Sequence, residues 1–245
     1  MTLFVEAGKV TSLIGPNGAG KTTFFNCLSG IASPTSGVVL FQKYKLNGLP
    51  VHKVTRRGIA RTFQNIRLFP EMTVLENVMV GRFIKSALPV MATLWGALTR
   101  RQAFRDQEEA LREEALRLLH FVGLSAPHHT PSGHLAYGDQ RRLEIARALA
   151  SDPTLLLLDE PAAGMNPTET EALMALVIKI KETGVTPFLI EHNMKMVMGI
   201  SDWVYVLDHG MKIAEGTPGE VQANPQVIEA YMGKSRATPT LTTQG

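Results

Sequence analysis

The stretch TLLLLDE (residues 154–160) is a short apolar run that breaks off into two carboxylates. A continuous run of this length predicts a strand buried on both faces. KVTSLIG (9–15), GVVLF (37–41), TPFLIEH (186–192), DWVYVLDHG (202–210) and KIAEG (212–216) read as further strands, the last two joined around Asp208, His209 and Gly210. Between them the period changes to that of a helix. DQEEALREEALRLLHFVGL (106–124) places Leu111, Ala115, Leu118, Leu119 and Val122 on one face, within a helical pattern running over 72–123. Glu113 and Arg117 stand four apart on its wet side, a spacing that favours the helix. KTTFFNCLSGI (21–31) and ETEALMALVIKIKETG (169–184) are helical, the second closed by glycine. A basic helical pattern opens at Gly138 and stops at Asp152-Pro153. Residues 128–133 read as a loop rich in proline and histidine. Strands alternating with helices predict an α/β fold with a mostly parallel sheet.

Composition narrows this picture. The chain has 245 residues, 44% of them apolar, enough for one domain with a subdomain. We expect a single domain over 1–233 with a helical subdomain over about 66–152 inserted, and a disordered polar tail over 234–245 (KSRATPTLTTQG). A net charge of +3 does not point to nucleic acid. A lone cysteine, Cys27, suits a reducing compartment. The apolar stretch ALPVMATLWGAL (87–98) contains a proline and falls short of the ~20 residues a membrane span takes. The first ten residues, MTLFVEAGKV, do not have the pattern of a secretory leader.

The chemistry begins at GPNGAGKTT (15–23), which fits G-x-x-x-x-G-K-[ST] between a strand and a helix. Gly15, Gly18 and Gly20, with Pro16, Asn17 and Ala19 between them, let backbone amides curl around phosphate oxygens. Lys21 supplies a point charge and Thr22 a hydroxyl for Mg²⁺; Thr23 completes the motif at a helix N-terminus facing the anion. Asp159, at the end of a neighbouring strand, reaches the metal sphere. Glu160, next in the chain, is placed to polarise an attacking water. Gly138 then marks a second helix N-terminus able to hold an anion. One phosphate loop already serves one nucleotide, so the second site serves a nucleotide on another copy, in a head-to-tail dimer.

The order of motifs resembles that of the ATP-binding cassette ATPases: GPNGAGKTT, Gln64 in RTFQNIRLFPEMTVLENV, LAYGDQRRLEIARAL, LLLLDEP, AAGMNP and FLIEHNM. The resemblance covers the chain to about Gly233. It implies a P-loop NTPase fold with a mostly parallel core, a small antiparallel β part and a helical subdomain. It implies that Gln64 links metal and water to a membrane partner and that His192 contacts the γ-phosphate. It also implies that Tyr137, Gly138, Asp139 and Gln140 form the signature facing the opposite protomer's ATP. GIARTFQNIRLFPEMTVLENVMVGR (58–82), the long stretch between Arg82 and Arg105, and IAEGTPGEVQANPQVIEAYMG (213–233) look like the ATPase subunits of branched-chain amino acid importers. Those implied partners are a second cassette, identical or paralogous, two membrane permeases and a periplasmic solute-binding protein, at the cytoplasmic face of the inner membrane. The region around Phe83 to Phe104 mixes apolar residues, including Trp95, with Arg100 and Arg101, so together with Gln64 it is expected to form the permease-docking face, with a subdomain core as the alternative for about half of these residues.

Urea-transport ATPases are close alternatives, and lipopolysaccharide-export ATPases a more distant one. Nucleic-acid-associated cassettes usually carry long coiled coils or tandem cassettes, and a small-molecule kinase would leave LAYGDQRR and His192 without a role. Glu160 argues against a nonhydrolysing regulatory module. The chain departs from the family in three places. Only fourteen residues precede Gly15, fewer than the family's adenine-stacking aromatic segment takes, so either the chain start is misplaced or the nucleotide site is weakened, and the second case predicts lower nucleotide affinity. Ala136 stands where the signature serine is usual, which predicts a slower ATPase, with Arg141 and Arg142 placed to offset Asp139. FQKYKLNG (41–48) lacks the usual glycine of the early hairpin.

Overall fold

The computed structural model describes residues 1–83, 101–124 and 127–232. Its main sheet has six strands in the order β4-β5-β6-β1-β7-β8. They are β1 (Thr11–Ile14), β4 (Ile59–Arg61), β5 (Leu155–Asp159), β6 (Thr186–Ile190), β7 (Trp203–Asp208) and β8 (Met211–Gly216). All neighbours are parallel except β7 and β8, which pair antiparallel across the turn at His209 and Gly210. A two-stranded antiparallel hairpin, β2 (Leu40–Phe41) with β3 (Tyr44–Lys45), stands apart. The helices are α1 (Lys21–Leu28), α2 (Val51–Arg56), α3 (Val74–Phe83), α4 (Arg101–Phe121), α5 (Tyr137–Leu149), α6 (Pro167–Glu182), α7 (Met194–Ile200), α8 (Pro218–Gln222) and α9 (Pro225–Met232).

The run in β5 shows why an unbroken apolar strand is required. Leu156 and Leu158 point into a core shared with α3, α4, α5 and α6. Leu155 and Leu157 point the other way, to a core with Leu13, Phe25, Phe188 and Leu207. Side chains alternate across a strand, so a strand between two helical layers must be apolar at every position. α6 is started by a capping box in which Asn166 and Glu169 each satisfy the other's amide, with Pro167 at the first helical position. Beyond its C-cap Thr183 comes Gly184, at φ +90°, the left-handed exit that glycine permits.

The pattern of the sequence fell short in four places. GVVLF yields only the two residues Leu40–Phe41, because Val38 and Leu40 face solvent and the hairpin has one partner strand. β3 falls in the stretch expected to hold the early hairpin, whereas the three-residue edge strand β4 was not expected; both are too short to display a period. α5 starts at Tyr137 with Ala136 as N-cap, so Gly138 is one residue inside the helix. Ala115 and Leu119 on α4, and Val122 just after it, are buried in the core as expected, whereas Leu118 is only partly buried and Arg117 pairs with Glu114 rather than Glu113. The tail at 234–245 and the stretch 87–98 lie outside the described residues.

Candidate functional site

The strands β1, β5 and β6 end on the same edge of the sheet, and the candidate residues follow those ends. Gly15 leaves β1 at φ +148°, and a Cβ there would sit 2.1 Å from the carbonyl oxygen of Leu207 on the adjacent strand. Only glycine lets the phosphate loop pass this close to β7. Gly20, at φ +95°, turns the chain into α1. Asn17 and Gly18 are exposed, Ala19 is buried, and Thr22 and Thr23 lie open on the first turn of α1. Lys21 is buried, and its Nζ donates to the carbonyls of Gly15 at 2.7 Å and Pro16 at 3.0 Å. Burial pulls its pKa down, opposed by the charges of Glu160 and Asp159.

Asp159 closes β5 almost fully buried. Its Oδ2 accepts from Arg61 Nη2 at 2.7 Å. The same guanidinium donates through Nη1 to Asn26 Oδ1 and Ser29 Oγ, tying the edge strand β4 to α1. Arg61 was not singled out from sequence. Its only signal is a charged residue ending a short apolar triplet, and such residues are usually solvated.

Glu160 adopts φ +47°, a left-handed conformation uncommon for a side chain of this size. Its two carboxylate oxygens are held from opposite sides. Oε2 accepts from Gln64 Nε2 at 2.8 Å, and Oε1 lies 3.0 Å from His192 Nε2. Three residues chosen far apart in the chain are thereby gathered around one carboxylate, which remains 17% exposed. Glu191, also not anticipated, supports this group from below. Its Oε1 accepts from Ala162 N, and its Oε2 from His192 N and Asn193 N. Burial raises its pKa, while those three amides oppose the rise. An acid inside the apolar run FLIEH was the one available hint.

The signature segment lies at the start of α5. Tyr137 is exposed with its ring near Gly164, Gly138 is buried against Glu169, and Gln140 Nε2 donates to Leu135 O at 2.9 Å. Among the described residues, no hydrogen bond or ion pair joins residues 137–140 to residues 15–23. Asp139 lies 3.9 Å from Arg142. Arg141 does not offset Asp139 as expected: it turns inward, fully buried, because its guanidinium finds Glu144 and backbone carbonyls there.

The ABC transporter family profile matches residues 1–163, and the profile of branched-chain amino acid ATP-binding cassette transporters matches residues 211–237. The chain is 48% identical to the high-affinity branched-chain amino acid transport ATP-binding protein BraF of Pseudomonas aeruginosa, over 96% of this chain and 91% of that protein. A solved nucleotide-free ATP-binding cassette from an ABC transporter superposes with a TM-score of 0.80 at 32% identity, covering 95% of this chain and 91% of that one. A dimeric cassette in a post-hydrolysis state bound to ADP and Pi superposes with a TM-score of 0.72 at 27% identity, covering 88% of each chain. With the order of strand ends, the carboxylate cluster and these likenesses in agreement, the chain belongs to the ATP-binding cassette transporter family, as one of its ATPases.

Proposed function

We propose that this ATPase drives uptake of branched-chain amino acids, as one of two cassettes beneath a pair of membrane permeases fed by an extracytoplasmic solute-binding protein. The solute class rests on the likeness to BraF and on the C-terminal profile. The observation that carries hydrolysis is the grip of Gln64 and His192 on the two oxygens of Glu160. Glu160 accepts a proton from water as it attacks the γ-phosphate, a role worth about 10²–10⁴ in rate. Gln64 and His192 fix the carboxylate's direction, and His192 faces the same phosphate. Lys21 and the amides of residues 15–23 bind the outer phosphates at the positive end of α1.

Thr22, Asp159 and the side-chain oxygen of Gln64 are hard donors and fit magnesium. Magnesium in nucleotide enzymes is commonly held by one or two protein groups, with phosphate oxygens and water completing the shell. When bound, the ion neutralises charge on the phosphates.

The start of α5 (Tyr137, Gly138, Asp139, Gln140) offers its amides to the nucleotide of a second copy, and the dimeric relative supports that arrangement. A cleft of about 280 Å³, lined by Ile31, Val51, Phe63, Phe69 and Arg147, suits the permease contact; residues 84–100, part of the expected docking face, lie outside the described residues. Among the described residues no helix is long and apolar enough to cross a membrane. Attachment at the cytoplasmic face then runs through the permeases. Two measurements test this reading. Glu160→Gln should keep ATP binding, lose most turnover and accumulate as a nucleotide-bound dimer; near-normal phosphate release would remove Glu160 from its role. Complexes purified from membranes should hydrolyse ATP faster with leucine, isoleucine or valine and their binding protein. Stimulation by urea instead would reassign the solute.

A further inference from the structure

Arg141 is the largest fully buried side chain among the described residues, and nothing in the phosphate chemistry above uses it. It lies one helical turn beyond Tyr137, on the helix that carries the signature. Its fork is spent on four acceptors. Nη1 donates to Phe63 O at 2.6 Å and to Glu144 Oε2 at 3.0 Å; Nη2 donates to Gln64 O at 2.8 Å and to the Tyr137 hydroxyl at 3.0 Å. Glu144, on the same helix, takes the opposite groups of that segment, accepting on Oε1 from Phe63 N at 3.4 Å and Arg67 N at 3.2 Å. Two buried side chains of α5 therefore hold the backbone of residues 63–67. The Phe63 ring of that segment is flanked by the guanidinium groups of Arg61 and Arg67.

We infer that Arg141 is a positioning residue, through which the seating of the signature helix sets whether Gln64 reaches Glu160. One run of contacts leads from the exposed Tyr137, through Arg141, to the backbone of Gln64, and from the Gln64 amide to Glu160 Oε2. α5 faces the partner's nucleotide and Glu160 faces this chain's own, so the run joins the two ATP sites of a dimer through one protomer. A buried pair is poor evidence for stability as such, because its desolvation cost can equal its attraction. A fork that reads two successive carbonyls and a hydroxyl, however, fixes direction, which lysine with its single ammonium cannot do.

The inference rests on Glu160 being the water-activating group, so Glu160→Gln is measured alongside. Arg141→Lys keeps the charge and removes the fork. In the full chain it should lower the maximal hydrolysis rate about tenfold, as small misplacements do. It should also flatten the dependence of rate on ATP concentration, with the affinity of the monomer for a fluorescent ATP analogue unchanged. In that background Gln64→Ala should cost nothing further beyond about twofold, because both changes break the same run. Tyr137→Phe removes one hydroxyl from an exposed ring and should slow turnover about twofold, again without adding to Gln64→Ala. That second cycle carries the test if Arg141→Lys does not accumulate as folded protein. Fully additive losses in either cycle, or a fall in monomer affinity equal to the fall in rate, would overturn the inference. If Glu160→Gln is inactive while the losses are additive, the site assignment stands and the relay alone fails. If Glu160→Gln still turns over, the site assignment fails.

Discussion

Around the phosphates, the chain is shaped by constraints that act within a few residues. Gly15 must clear Leu207, Gly20 must turn left-handed, and Lys21 folds back on carbonyls five and six positions earlier. Across the site, residues 63–67 are shaped by Arg141 and Glu144, reached over sequence separations of 77 to 81. The first region is stiff because its backbone has no alternative. The second is only as fixed as the packing of α5, so it is the part of the site able to respond to what α5 touches. An ATPase whose binding and hydrolysis steps make different demands gains from keeping these two kinds of support apart.

The sharpest way to break this division is at Arg61, where the phosphate side also depends on a distant partner. Arg61→Met leaves Asp159 buried without its counter-charge, and breaking such a pair typically costs about 3–5 kcal/mol. Chemical denaturation should show that loss, and Asp159→Asn added to it should restore most of the stability. If the second change restores nothing, the stranded charge is not what costs, and the phosphate side is more self-contained than Arg61 suggests. A smaller effect is expected at Gly15. Gly15→Ala drives a methyl into the Leu207 carbonyl, an overpacking worth roughly 1–3 kcal/mol, and should lower ATP affinity with it. Unchanged affinity by calorimetry would show that the loop yields. The smallest effect is at Ala136, the N-cap of α5, which makes no side-chain cap bond. Ala136→Ser should add about 1 kcal/mol by capping the helix, visible by thermal unfolding without nucleotide. Turnover should rise severalfold as well, from a hydroxyl offered to the partner's γ-phosphate. A gain in melting temperature with unchanged turnover would confine the serine's effect to the helix.

What could be read from sequence follows the same division. The phosphate loop, the Asp159-Glu160 strand end and the strand-helix alternation are written in contiguous residues, and the structure places each of them where the pattern predicts. Gln64 and His192 were found through resemblance to a family rather than through their own surroundings, yet both close on Glu160. Arg61, Glu191 and the inward turn of Arg141 were missed for a common reason. Each is a charged residue with at least one partner far away in the chain: Asp159 for Arg61, the Ala162 amide for Glu191 and the Phe63 carbonyl for Arg141. No local period distinguishes a buried charge of this kind from a solvated one. Strand β4 escaped because three residues cannot show an alternation.

The left-handed backbone of Glu160 bears on how the protein would drift under artificial selection. Glycine or asparagine would sit there with less strain, since a side-chain-bearing residue in this region costs on the order of 1 kcal/mol or more. Heat resistance and turnover therefore pull in opposite directions at a single codon. A library screened for folded protein at high temperature, with no demand for hydrolysis, is expected to enrich glycine or asparagine at position 160. One screened for growth on a transported solute should return glutamate alone.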